Sequence, residues 1–202
     1  MLTFKNYNIA DWFSFYRILV SPALFGLILL DQRFLFACFL LISYSTDAID
    51  GFLARRLKIA SPRGSQLDSM GDQITLVVGL VGLYWFETKF IEANLTLIII
   101  AFIPYIIQMI IAYFKYGKAT AFHTYLAKSS AVVQSAFILW SLFFNPEYTL
   151  FYAMIAIGLL ETFEEIALIF MHSYWVSDVK GIFWVVKERK RSKRIKKSTS
   201  QG

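Results

Sequence analysis

Four carboxylates within one stretch, Asp47 to Asp72, are the residues of this chain best suited to do chemistry. They form two pairs, Asp47 with Asp50 and Asp68 with Asp72, at spacings of three and four. On helices those spacings put each pair on one face, about a turn apart. Apolar runs flank the stretch, so four acids converging at a membrane edge would repel one another strongly. Divalent cations relieve that repulsion, and hard carboxylate oxygens suit Mg2+, Mn2+ or Ca2+. A pair of such ions can clamp a pyrophosphate, offset its charge and align attacking and leaving oxygens. Gly51 leaves room for close approach beside the acids, and Arg55 offers a guanidinium that forks onto phosphate oxygens. The plainer alternative, an ion-pair cluster with Arg55, Arg56 and Arg63, needs fewer acids than are present.

The elements that must carry these residues are membrane helices. Of 202 residues 57% are hydrophobic and 17% charged, and apolar runs recur along most of the length. The expected class is all-α, a polytopic membrane protein with six transmembrane helices and an active-site cavity open to the cytoplasmic side. Residues 1–11 suit a short interfacial segment, and Trp12 an interfacial anchor. Asp11 and Arg17 bracket the first apolar run with no small-residue cleavage site, so we expect a retained span. The spans are expected at about 12–30, 34–54, 66–86, 94–114, 129–144 and 148–172. Ser43, Tyr44, Ser45, Thr46, Asp47 and Asp50 fill the second half of span two, which should therefore line a watery cavity. Arg55 to Ser65 reads as a basic loop turning at Pro62 and Gly64. The expected domains are a six-span unit, 1–179, and a basic cytoplasmic tail, 180–202.

Charge sets the orientation. With six spans, 18 of the 20 Lys and Arg residues fall on one side and only Arg33 and Lys89 on the other. The positive-inside rule then makes both termini cytoplasmic, together with the aspartate stretch. Nine of those cations lie between Lys180 and Lys197, a tail better matched to anionic lipid headgroups than to nucleic acid. The expected location is an integral one, in the inner membrane if the cell is bacterial. The single Cys38 is expected to be a small apolar filler.

The pattern D-x2-D-G-x2-A-R-x8-G-x3-D-x3-D is met by Asp47, Asp50, Gly51, Ala54, Arg55, Gly64, Asp68 and Asp72. It resembles the signature of the CDP-alcohol phosphotransferase family, membrane enzymes of phospholipid synthesis, and within it the phosphatidylglycerophosphate-synthase-like members. Asn8, Ser14, Arg17 and Pro22 resemble the family's looser first-span pattern. The resemblance implies a CDP-linked lipid donor, often CDP-diacylglycerol, and a small alcohol acceptor. It implies that Asp47, Asp50 and Asp68 are metal ligands for Mg2+ or Mn2+, two ions in all. Asp72 would touch metal and act as general base, and Gly51, Ala54, Arg55, Ser61 and Gly64 would contact the CDP portion. The acceptor hydroxyl would attack the β-phosphorus and release CMP. Membrane lipids are further partners, with a homodimer as an open alternative and no nucleic acid.

Other polar residues carry weaker signals. His123 suits a solvated loop. Lys115, Lys118 and Lys128 are topology charges first, and Lys128 is also placed to receive an anionic acceptor such as glycerol 3-phosphate. Glu161, Glu164 and Glu165 lie inside the sixth apolar run, where a site role and a structural pairing with Lys128 or an arginine compete evenly. A polyprenyl-diphosphate transferase would show acidic motifs in two separated loops, but no acid lies between Lys115 and Lys128. A divalent-cation transporter would spread its acids along a path, whereas these cluster at one end.

Overall fold

The computed structural model describes residues 9–57, 62–177 and 179–199. Among these, helices follow one another as α1 (Ile9–Leu29), α2 (Arg33–Leu57), α3 (Pro62–Phe86), α4 (Thr88–Ala93), α5 (Leu95–Tyr116), α6 (Tyr125–Phe143), α7 (Tyr148–Met171) and α8 (Ile182–Thr199). The only β-type pairing among the described residues is an isolated parallel bridge between Ala121 and Ser177. The chain is all-α, as expected.

Each expected span falls on one long helix, but the connections differ. Arg55 and Arg56 belong to α2, and Arg63, Gly64 and Ser65 belong to α3. Pro62 opens α3 instead of turning a loop: its fixed φ suits the first helical position, where its missing N–H costs no helical hydrogen bond. The polar turn around Lys89 is the short helix α4, and most of the basic tail is helical as α8.

Two helices are long and apolar enough to cross a membrane, Leu95–Tyr116 and Tyr125–Phe143. The 22 residues of α5 extend about 33 Å at 1.5 Å per residue, enough for a bilayer core of roughly 30 Å. That helix buries only Gln108 and Ala112. Its isoleucines at 99, 100, 103, 106, 107 and 110 are all exposed, an apolar surface that suits lipid and not water.

The contacts divide the chain into two compact units. The first holds α1 to α4 with the last turns of α6, and its core includes Leu24, Ile28, Phe36, Leu40, Val78, Phe137 and Ile138. Within it Phe36 of α2 lies so close to α3 that a Cβ built on Gly82 would sit 2.2 Å from the ring. The helices approach at van der Waals distance only because position 82 lacks a side chain. Gly82→Ala is expected to force this contact apart and to cost about 1–3 kcal/mol of stability, read as a lowered melting temperature in detergent. An unchanged melting temperature would show that Phe36 can move aside freely.

Arg33 closes the other end of this unit. Its guanidinium donates to the carbonyls of Leu142 (2.8 Å), Ser141 (2.6 Å) and Phe144 (2.8 Å), and pairs with Glu87 at 2.5 Å. These carbonyls end α6, where acceptors lack helical partners and a cation opposes the helix dipole.

The second unit holds α5, the first turns of α6, α7 and α8. Its core joins Ala112, Phe122, Leu168, Ile169, Val179 and Val185. The C-terminal carbonyls of α7 are taken up by Lys115 and Tyr116 at Ile169, by Tyr116 at His172, and by Arg189 at Met171.

Candidate functional site

Asp47, Asp50, Gly51, Ala54 and Arg55 lie on α2, and Gly64, Asp68 and Asp72 on α3. Ser61 lies outside the described residues, and at the four aspartates the description is of the backbone. The two helices run antiparallel. Phe36 packs on Gly82 and Leu40, four residues on, packs on Gly79, three residues back, so α3 retreats as α2 advances. Followed along α2 toward Asp47 and Asp50, this antiparallel course leads back along α3 toward Asp72 and Asp68. The C-terminal part of α2 and the N-terminal part of α3, which carry the aspartates, therefore lie at the same end of this helix pair.

Arg17 of α1 reaches the same end of the pair. It is 1% exposed, and a Cβ built on Gly71 would lie 3.3 Å from its Cζ and Nε. The guanidinium therefore rests against the α3 backbone between Asp68 and Asp72. Sequence alone treats this residue as a flanking charge and as part of a loose pattern. The signal that reveals more is Gly71, whose missing side chain makes room for the guanidinium.

The polar second half of α2 has a simpler explanation than a watery lining. Ser43 Oγ donates to Phe39 O (3.0 Å), Ser45 Oγ to Leu41 O (2.7 Å) and Thr46 Oγ1 to Ser43 O (2.8 Å). These hydroxyls are satisfied by their own helix and tolerate an apolar setting.

Lys128 belongs to the second unit. It lies in the first turn of α6, exposed, with its ammonium 6.0 Å from the Tyr125 ring centroid. His123 is exposed in the preceding loop with φ 49°, a left-handed conformation that histidine adopts more readily than most residues. The glutamates of α7 take partners other than Lys128 or an arginine. Glu165 Oε2 accepts from Gln108 Nε2 (2.6 Å) and Thr120 Oγ1 (2.7 Å), and Gln108 is 2% exposed. Glu161 is hydrogen-bonded to Ser130. Glu164 Oε1 accepts the Ile182 N–H at 2.9 Å, placing a carboxylate at the N-terminus of α8. All three therefore have structural partners within their own unit. A shallow groove along α5, lined by Tyr105, Met109, Tyr113 and Phe114, carries no acid or cation and has no evident chemistry.

Among the described residues no three His, Cys, Asp or Glu side chains form a metal-binding group. The donor set whose chemistry suits Mg2+ or Mn2+ is the four aspartates, hard oxygen ligands on two antiparallel helices.

A family model described as CDP-alcohol phosphatidyltransferase matches residues 7–173. A CDP-diacylglycerol–glycerol-3-phosphate 3-phosphatidyltransferase from Wigglesworthia glossinidia brevipalpis is 32% identical over 77 residues, which cover 37% of this chain and 42% of that protein.

Proposed function

The chain belongs to the CDP-alcohol phosphatidyltransferase family, and on that premise we propose that it transfers a phosphatidyl group from CDP-diacylglycerol to glycerol 3-phosphate, releasing CMP. The observation that supports this reading is the antiparallel pairing of α2 with α3, whose aspartate-bearing parts lie at the same end of the pair. A relative bearing the name of that reaction supports the choice of acceptor.

In this reading Asp47, Asp50, Asp68 and Asp72 hold two Mg2+ or Mn2+ ions. When bound, these supply charge neutralisation at the pyrophosphate. Gly51, Ala54, Arg55, Ser61 and Gly64 receive the CDP portion, Arg55 by forked donation to phosphate oxygens. Asp72 takes the proton of the acceptor hydroxyl as its oxygen bonds to the β-phosphorus. The bond from that phosphorus to the bridging oxygen breaks, and CMP leaves with the electron pair. Six helices (α1, α2, α3, α5, α6 and α7) span the membrane, with both termini and the site cavity on the cytoplasmic side. The segregation of 18 of the 20 Lys and Arg residues to one side supports that orientation.

Lys128 receives the phosphate of the acceptor. Lys128→Ala is therefore expected to raise the KM for glycerol 3-phosphate by roughly 10- to 100-fold, the worth of one charge-assisted contact, with little change for the donor. The kinetic comparison is made in detergent micelles carrying CDP-diacylglycerol. An unchanged acceptor KM, or preferred turnover of an uncharged alcohol, would remove both Lys128 and the phosphorylated acceptor from this account.

A further inference from the structure

The face of α8 turned away from the second unit's core has the composition of a bilayer-surface contact. Its inward face is defined by Val185, buried in the core, and by Arg189 one turn on, which donates to Met171 O. Outward, Phe183, Val186, Lys187, Lys190 and Arg191 line one shallow surface. Phe183 is 66% exposed and Tyr174, just before the helix, 73% exposed. Exposed rings followed one turn later by cations suit the acyl–headgroup boundary, with rings at the acyl level and ammonium groups at the phosphates. Between Lys180 and Lys197 nine cations face a single acid, Glu188, so the complementary surface is anionic.

The segment that leads into this helix, and the helix itself at Trp184, contact the loop that precedes α6 and its first residue. Trp175 Nε1 donates to Ala119 O (3.0 Å), Val179 N to Phe122 O (2.7 Å) and Tyr125 N to Lys180 O (3.3 Å). Lys118 places its ammonium 3.6 Å from the Trp175 ring centroid, and the Trp184 and Tyr125 rings stand 5.3 Å apart. Between segment and helix Gly181 has φ 144°, a conformation that effectively requires glycine, and a Cβ there would lie 3.0 Å from Glu164 Oε1. That same oxygen accepts the Ile182 N–H. Movement of α8 is therefore carried to residues 117–125 through backbone hydrogen bonds.

We propose that the outward face of α8 binds anionic phospholipid headgroups, and that this contact steadies the 117–125 loop. The lipid surface and its link to the loop stand apart from the functional reading above.

The test uses the full chain in nanodiscs of phosphatidylcholine, with and without phosphatidylglycerol, and follows amide hydrogen exchange. Exchange over 117–125 and 182–186 is expected to slow roughly tenfold in the anionic discs, a fraction of the attraction of three surface cations. The triple variant Lys187→Gln, Lys190→Gln, Arg191→Gln should lose that difference. Val179→Pro removes the N–H given to Phe122 O; it should keep lipid-dependent slowing in 182–186 and lose it in 117–125. Equal exchange in both discs for the parent chain would overturn the surface. Slowing in neutral discs on adding inorganic phosphate would overturn the bilayer as its ligand. Persistent slowing of 117–125 in Val179→Pro would overturn the coupling.

Discussion

Alanine at Asp47, Asp50 or Asp68 is expected to lower CMP release by at least about 10²–10³-fold, the scale of losing one preorganised electrostatic contact at a reacting centre. Each substitution removes one oxygen donor and leaves three carboxylates whose mutual repulsion is less well offset. Metal and donor binding should therefore fall together, which titration of Mn2+ and of CDP-diacylglycerol into each variant would measure. Chelation of the parent chain should stop turnover, and Mg2+ or Mn2+ should restore it. Arg17 makes the expected pattern specific. Its guanidinium lies buried against Gly71, a residue between Asp68 and Asp72 in sequence, so a fixed cation is built into this part of α3 without metal. The metal-free chain should therefore stay folded, with an unchanged helical circular dichroism spectrum. Unfolding on chelation would make the cations structural, and full turnover without metal would dismiss the cage.

Asp72→Asn should fail differently. The amide keeps the shape of the carboxylate and loses its basicity, so the acceptor hydroxyl is no longer relieved of its proton. Turnover is expected to fall by roughly 10²–10⁴-fold. Donor affinity should change far less, because Asp47, Asp50 and Asp68 remain. Pre-steady-state rates separate the two effects: the chemical step slows while the donor concentration giving half-saturation moves little. A variant that turns over like its parent would place the base elsewhere. One that simply loses donor binding would make Asp72 a ligand alone.

The helices were legible wherever an apolar run met a hard boundary. The run ending at Asn145-Pro146-Glu147 and the one beginning at Tyr148 fall within a residue of the ends of α6 and α7. Pro62 misled because proline stops a helix and also starts one; only the chain beyond it shows which. The tail resembled solvated charge, yet Lys and Arg are good helix formers, and Val185 gives α8 a core to lean on. The chemistry of the aspartate stretch was legible because its parts sit within a few helical turns. What pairs across distance was not. Glu165 finds Thr120 and Gln108 at separations of 45 and 57 residues, and no local pattern announces neutral partners for a buried acid. Arg17 was hidden for the same reason, since its place depends on a glycine in another helix.

The central claim, that four aspartates on α2 and α3 serve phosphatidyl transfer, is tested most directly in proteoliposomes containing CDP-diacylglycerol. Glycerol 3-phosphate and Mg2+ are added, CMP is quantified, and the lipids are followed by mass spectrometry. The account predicts CMP and phosphatidylglycerol phosphate in equal amounts, abolished by chelation and by Asp50→Ala. Divalent-cation flux without CMP, or no CMP with glycerol 3-phosphate, inositol phosphate, serine or choline, would contradict it.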